Sequence, residues 1–373
     1  MRHLPNASMT IQVPGKLMVA GEFAVLEPYH QLVVMAVDRY VYATLTESSD
    51  NYLSLLDFEL TRLAWKYENS EIRIATDDGR IRFVKDAMTV AITYLKEHGI
   101  TPAAFHLSIK SELEDASGVK YGLGSSAAVV TSVVAAILHK YLPADPSAEL
   151  IFKLAAVAHV KTQGSGSGAD VAASSYGGIL RYSSFQADWL LENYQKTSSL
   201  SELLESDWRY FSVKPIVLPK NVYICIGWTG KPASTSRLIP EIRKLNGAQP
   251  RLYKQFLHES EQAVHTFLEG FEKENLDLLF KGVRQNRHAL ATVGENAGVD
   301  VETPLLKTLC DLAEQHGGAG KPSGAGGGDC GIAFMPSKEN AQQLLKAWQD
   351  AGIKPLTINP NSDGARVVET FHE

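Results

Sequence analysis

Residues 120–142, KYGLGSSAAVVTSVVAAILHKYL, set a glycine-serine turn directly against an apolar run of helical length. Gly122 and Gly124 stand in the turn, and Ser125 and Ser126 open the helix expected over 125–142. Glycine adopts φ > 0 without penalty and lets backbone N–H groups come close to a ligand. The start of a helix adds unpaired N–H groups and the positive end of the helix dipole. The combination makes a place for an anion, above all a phosphate. The serine hydroxyls supply further contacts to phosphate or to magnesium. A purely structural account also exists, because serine caps helices well and glycine often precedes the cap.

Outward from this turn, three more segments concentrate glycine with Ser, Lys or Asp: VPGKLMVAGE (13–22), GSGSGAD (164–170) and KPSGAGGGD (321–329). The last is flanked by helix and strand signals, which is no place for a flexible linker. Several such loops together favour phosphate binding. Gly122-x-Gly124-x-x-Ala127 formally fits a dinucleotide fingerprint, but the segment that follows stays helical to Leu142, where a second strand ending in an acidic residue is required. No Walker loop occurs: Gly230-Lys231 and Gly320-Lys321 are both followed by Pro and lack the earlier glycine. The protein-kinase catalytic loop, H-E-x-x-H and G-x-S-x-G are likewise missing.

The 373 residues carry 36 Lys+Arg and 42 Asp+Glu, a net charge of −6. That length suggests about two domains. A mildly acidic chain without a basic stripe is not built for nucleic acid or an anionic membrane surface. Its anionic ligands must be held by a few placed cations and backbone amides. Three cysteines, Cys225, Cys310 and Cys330, make neither a disulfide framework nor a structural zinc site and suit a reducing cytoplasm. Cys330, next to the third glycine loop, is expected to be sensitive to thiol reagents. MRHLPNASMT has no apolar core of signal-peptide length, and no run of about 18 apolar residues follows, so neither secretion nor membrane spanning is expected.

Strand signals fall at 10–46, 105–113, 221–230 and 331–335. Helices are expected at 86–98 with Asp86 as cap, 147–163, 251–270, 275–291, 304–316 and 338–351, before a closing pair of strands. Residues 184–212 are polar and heterogeneous and read as a connection or insertion. Strands followed by helices in each half, without a βαβ repeat, favour an α+β fold over a doubly wound sheet.

Pro14-Gly15-Lys16 with Gly21-Glu22, then Gly122-Leu123-Gly124-Ser125-Ser126-Ala127, then Lys321-Pro322-Ser323-Gly324-Ala325-Gly326-Gly327-Gly328-Asp329 resemble, in order, the three motifs of the GHMP kinases. They span nearly the whole chain. Within that superfamily the likeness is greatest to the bacterial phosphomevalonate kinases, through GEFAVLE (21–27), Lys120-Tyr121 and GWTGKPAST (227–235). Mevalonate kinases usually carry His where Phe23 stands, and the sugar-recognition signature of galactokinases is not found.

The resemblance implies a two-domain fold. An N-terminal domain (1–212) like the second domain of ribosomal protein S5 would carry motifs 1 and 2, and a ferredoxin-like C-terminal domain (213–373) would carry motif 3. It implies transfer of the ATP γ-phosphoryl group to 5-phosphomevalonate, with ATP and Mg2+ as cofactors and small-molecule substrates, not nucleic acid or membrane, as partners. It also implies roles. Lys16 and Asp170 are the catalytic candidates. Lys120, Gly122, Leu123, Gly124, Ser125, Ser126 and Ala127 would bind ATP. Lys16, Lys120, Ser165, Ser167, Gly168, Ser323, Gly324, Ala325 and Gly326 would hold the acceptor, and Ser126 and Ser234 would lie near the metal. Arg284, Asn286 and Arg287 are weaker candidates for the cleft, while His288 is assigned to packing or surface. Two alternatives stay open: a kinase with a hydroxyl acceptor, such as mevalonate, and a catalytically silent ligand sensor on the same fold.

Overall fold

The computed structural model describes residues 8–115, 118–231 and 235–371. Its first half runs β1 (Ser8–Ala20), β2 (Gln31–Glu47), β3 (Tyr52–Leu55), β4 (Leu60–Glu68), β5 (Glu71–Ile74), α1 (Arg82–Glu97), β6 (Phe105–Ser111) and α2 (Ser125–Tyr141). Then come α3 (Ala148–Gln163), α4 (Ala169–Tyr176), β7 (Ile179–Ser183), α5 (Ala187–Lys196), α6 (Leu200–Glu205) and β8 (Ser212–Ile216). The second half contains β9 (Tyr223–Trp228), α7 (Thr235–Ala248), α8 (Pro250–Glu272), α9 (Leu276–Ala297), α10 (Pro304–Gln315) and β10 (Ala319–Pro322). It closes with β11 (Cys330–Met335), α11 (Lys338–Asp350), β12 (Lys354–Leu356) and β13 (Arg366–Phe371). The class is α+β.

The first sheet has the hydrogen-bonded order β13-β1-β2-β6-β3-β4-β5, with β7 added to β2 and β8 to β7. β2 is its spine. Its Val-, Tyr- and Thr-rich second half alternates buried and half-buried residues, as a strand with one covered face does. Helices α1 to α4 pack together, with α2 and α4 lying on β1 and β2, and their apolar residues fill one continuous core. The β1–β2 register slips between Pro14 and Gly15, which pair with Tyr40 and Val37. Such a bulge bends a strand and re-aims its side chains. Lys16 follows it directly.

The second sheet is antiparallel with the order β10-β11-β9-β12. In chain order this is the ferredoxin-like β-α-β-β-α-β arrangement, with helices α7 to α10 inserted between its first two strands.

Three expectations need correction. The segment 184–212 is no loose connection: α5 and α6 form there, and Phe211 stacks on Phe152 with centroids 4.8 Å apart while Trp208 packs beside both. Polar average composition hides apolar residues spaced along short helices. Helix α1 begins at Arg82, without a side-chain cap, so Asp86 lies inside it and binds Lys161 (3.1 Å) and Thr162 (2.7 Å) instead. The last two strands do not pair with each other. β12 joins the second sheet, and β13 returns to β1 in the first. Hydrogen bonds therefore cross a division of the chain at 212/213.

Candidate active site

The bulge after Pro14 brings Lys16 under the glycine-serine turn. The Lys16 amide donates to the Leu123 carbonyl (2.8 Å), and its Nζ donates to the Gly122 carbonyl (3.1 Å). Gly15 has to be small here, since a Cβ on it would lie 2.8 Å from the Leu123 oxygen. Gly124 caps α2 in the left-handed region (φ 78°, ψ 40°). A Cβ at Gly124 would stand 2.9 Å from Lys16 Cγ and 3.5 Å from Asp170 Cβ. The two catalytic candidates thus flank one point on the turn. Asp170 is in the first turn of α4, whose cap is Gly168, so it is not itself the cap residue.

The third glycine segment closes over the same place. The Ser323 hydroxyl donates to the Met18 carbonyl (2.9 Å), and the Gly324 amide donates to Glu22 Oε1 (3.3 Å). Lys321, fully buried, forms an ion pair with that oxygen of Glu22. Glu22 Oε2 is buried without a hydrogen-bond partner among the described residues. At the other side of the turn, the Asp329 carboxyl group packs where a Cβ on Gly122 would have to be.

These pieces surround one cavity of about 790 Å³. Of the residues expected from sequence, Lys16, Lys120, Gly122, Leu123, Gly124, Ser125, Ser126, Ser165, Ser167, Asp170, Ser323, Gly324 and Ala325 line it. Three do not. Ala127 is buried in the first turn of α2, Gly168 lies under Phe185 and Tyr182, and Gly326 backs onto the Val301 carbonyl. They shape the wall from behind. Ser234 lies outside the described residues. Arg284 and His288 are exposed, and Arg287 is tied to Glu302, Asp311 and Glu314, away from the cleft. Asn286 is buried and is not part of the lining.

The cavity also contains residues that sequence reasoning missed. Arg82 and Phe83 enter from the first turn of α1, a turn concealed by placing the helix start at Asp86. Arg243 comes from α7, which carries no recognisable motif. His159 is the polar exception in an otherwise apolar stretch of α3, AAVAHV (155–160), a signal that was available. Its Nε2 is 3.1 Å from Ser126 Oγ, and its ring stacks on Phe83 at 5.3 Å. Burial lowers the His159 pKa, while the charge of Asp170 acts in the opposite sense.

Cys330 donates to the Tyr121 carbonyl (3.2 Å) and is buried, and burial pushes its thiol well above the ordinary range. The structure therefore argues against the expected sensitivity to thiol reagents: burial both disfavours the reactive thiolate and shields the sulfur.

Chemically, the cavity offers a helix N-terminus, a second turn rich in backbone amides, four cationic side chains (Lys16, Lys120, Arg82, Arg243) and three carboxylates, Asp170, Asp329 and Glu22, the last paired with Lys321. That set suits two polyanions meeting end to end.

Residues 82–178 match the family model described as the GHMP kinases N terminal domain, and residues 267–354 match GHMP kinases C terminal. Over 365 residues the chain is 32% identical to a phosphomevalonate kinase of Streptomyces sp. (strain CL190), covering 94% of this chain and 96% of the relative. A solved structure of the Lin0012 protein from Listeria innocua is 36% identical, superposes with a TM-score of 0.91, and covers 97% of this chain and 99% of its own. The Streptococcus pneumoniae phosphomevalonate kinase, solved in complex with phosphomevalonate and AMPPNP, is 26% identical with a TM-score of 0.83, covering 94% and 99%.

Proposed function

The chain belongs to the GHMP kinases, and from that premise we infer that it is a phosphomevalonate kinase: ATP and (R)-5-phosphomevalonate react to ADP and (R)-5-diphosphomevalonate, a step of isoprenoid biosynthesis by the mevalonate route. One observation carries this reading. Lys16, the amide-rich start of α2 and the Ser323–Ala325 turn, from distant parts of the sequence, face a single cavity. Likeness to the Streptomyces and Streptococcus enzymes supports the choice of acceptor.

The physical problem is repulsion. Two unit charges of the same sign about 4 Å apart cost about 4 kcal/mol at an effective dielectric of 20. Lys16 and Lys120 are assigned to offset that cost where the two phosphates meet, with Arg82 and Arg243 as further counter-charges in the cavity wall. The Gly122–Ser126 turn holds the nucleotide phosphates through its amides, and Ser323, Gly324 and Ala325 hold the transferring group or the acceptor. Ser165 and Ser167 are assigned to the acceptor's phosphate or carboxylate.

Among the described residues no three carboxylate, imidazole or thiol groups converge to hold a metal ion. The donors present fit an Mg2+ that keeps waters and arrives on the nucleotide, with the Ser126 hydroxyl as its contact with the protein. Bound there, it neutralises charge on the triphosphate.

The acceptor is a phosphate monoester, whose second pKa near 6 leaves it mostly ionised at neutral pH. Little proton removal is needed. Asp170 is therefore assigned to orienting Lys16 and the acceptor, not to acting as an obligatory base. We place the enzyme in the cytoplasm, where its three buried thiols stay reduced.

Side-by-side assays with mevalonate and 5-phosphomevalonate test the acceptor: turnover of mevalonate alone overturns the reading. Lys16→Ala should lower kcat by about 10²–10³; a change confined to the KM for ATP contradicts the role. Asp170→Asn should keep the shape of the wild-type pH–rate profile, and loss of a base-dependent acidic limb would make Asp170 the base.

A further inference from the structure

His159 is 3% exposed, on the α3 face that packs against α2. A buried imidazole is costly unless it is hydrogen-bonded. Here Ser126 Oγ, 3.1 Å from Nε2, is its partner, and the Phe83 ring, tilted 28° from parallel, holds the imidazole plane. Ser126 stands in the first turn of α2, where a serine usually bonds its own helix, and the Gly124 cap makes no side-chain bond. Instead the hydroxyl reaches across to α3.

We propose that His159 is a positioning residue for the phosphoryl-transfer site: Nε2 accepts the Ser126 hydroxyl proton and so turns the oxygen lone pairs into the cavity, towards the nucleotide-borne metal ion. A hydroxyl rotor has one proton and two lone pairs. With the proton held by His159, Ser126 presents only lone pairs to the cleft and is pre-organised as a metal ligand. Were Nε2 to carry the proton, it would consume one lone pair and leave the hydroxyl hydrogen free to compete with the remaining lone pair for the side that faces the cation. The proposal rests on the reading of Ser126 as the metal contact.

The test is binding of Mn2+ to the full-length protein with ADP, followed by electron paramagnetic resonance, with no turnover involved. His159→Phe keeps the stack on Phe83 and removes the acceptor; it should weaken Mn2+ binding at least about tenfold. His159→Gln, which can offer an acceptor oxygen near the position of Nε2, should restore it to within about threefold of the wild type. Ser126→Ala should weaken binding as His159→Phe does, and the double variant no further, because the two act through one contact. Nitrogen-15 spectra of the wild-type imidazole should show Nε2 unprotonated, with a signal that moves in Ser126→Ala.

Unchanged Mn2+ affinity in Ser126→Ala would overturn the metal reading itself. Loss in Ser126→Ala with full affinity in His159→Phe would overturn only the role of His159. A protonated Nε2 in the wild type would also overturn it. Should His159→Phe fail to fold, His159→Gln and the wild-type spectrum decide: either a tenfold loss in His159→Gln or a protonated Nε2 refutes the proposal.

Discussion

Replacing Gly124 by alanine separates backbone strain from damage to the site. At φ 78° and ψ 40° an alanine pays about 1–2 kcal/mol for the left-handed conformation. The stiffer unfolded chain returns about 0.4–1 kcal/mol, leaving a net loss of about 1 kcal/mol and a Tm lower by about 2 °C. Gly298, which ends α9 at φ 67° and ψ 33°, should lose the same amount on substitution by alanine. The two positions differ in their surroundings. A Cβ at Gly298 meets nothing within 4 Å, whereas at Gly124 it meets Lys16 Cγ at 2.9 Å and Cε at 3.1 Å. Non-bonded carbons sit about 3.5–4.0 Å apart, so Lys16 must shift by up to about 1 Å. A displacement of that size in a reacting constellation costs about 10²-fold in rate, or about 2.7 kcal/mol in the barrier. Calorimetry should therefore find Gly124→Ala and Gly298→Ala nearly equal, while kcat at saturating ATP and 5-phosphomevalonate falls about 100-fold in Gly124→Ala alone. A folded Gly124→Ala enzyme with kcat within threefold of the wild type, or an equal loss in Gly298→Ala, would refute the steric argument.

Lys321→Met strands the buried Glu22 carboxylate, whose Oε2 already has no hydrogen-bond partner among the described residues; urea unfolding should show a loss of about 3–5 kcal/mol, partly recovered in the Glu22→Gln/Lys321→Met double variant. Glu97 accepts from the amides of Leu200 (2.7 Å) and Ser201 (2.8 Å) at the start of α6. These bonds, with those from the Ser201 and Ser199 hydroxyls, outweigh burial and hold its carboxyl below the ordinary 4.5. That stabilisation is complete above pH 4.5 and is lost as pH falls through the folded-state value, so the difference between wild type and Glu97→Gln should be level at neutral pH and shrink in acid. Burial pushes the Cys225 thiol up to about 12 and raises Cys310 and Cys330 as well. A disulfide reagent at pH 8 should find no fast-reacting thiol in the native enzyme and all three cysteines after denaturation. Arg287→Met removes contacts to Glu302, Asp311 and Glu314 that tie α9 to α10 and to the segment just before it, and should lower Tm while leaving both KM values unchanged.

What could be read without coordinates was local or carried by motif. The helices α2, α3, α8, α10 and α11 lie within a few residues of where apolar spacing and caps put them, and α9 starts as expected but runs six residues further, to Ala297, because helix signals are confined to one stretch of chain. The glycine motifs were legible too, since backbone that must approach an anion excludes side chains. Only folding decided which loops meet. That a bulge aims Lys16 at Gly124, that Lys321 reaches Glu22 across nearly the whole sequence, and that Arg82, His159 and Arg243 look into the same cavity are consequences of long-range pairing and packing. The same is true of β13 returning to β1, and of α5 and α6 folding against the core. None of these contacts leaves a periodic trace, because each depends on how distant surfaces share one buried volume.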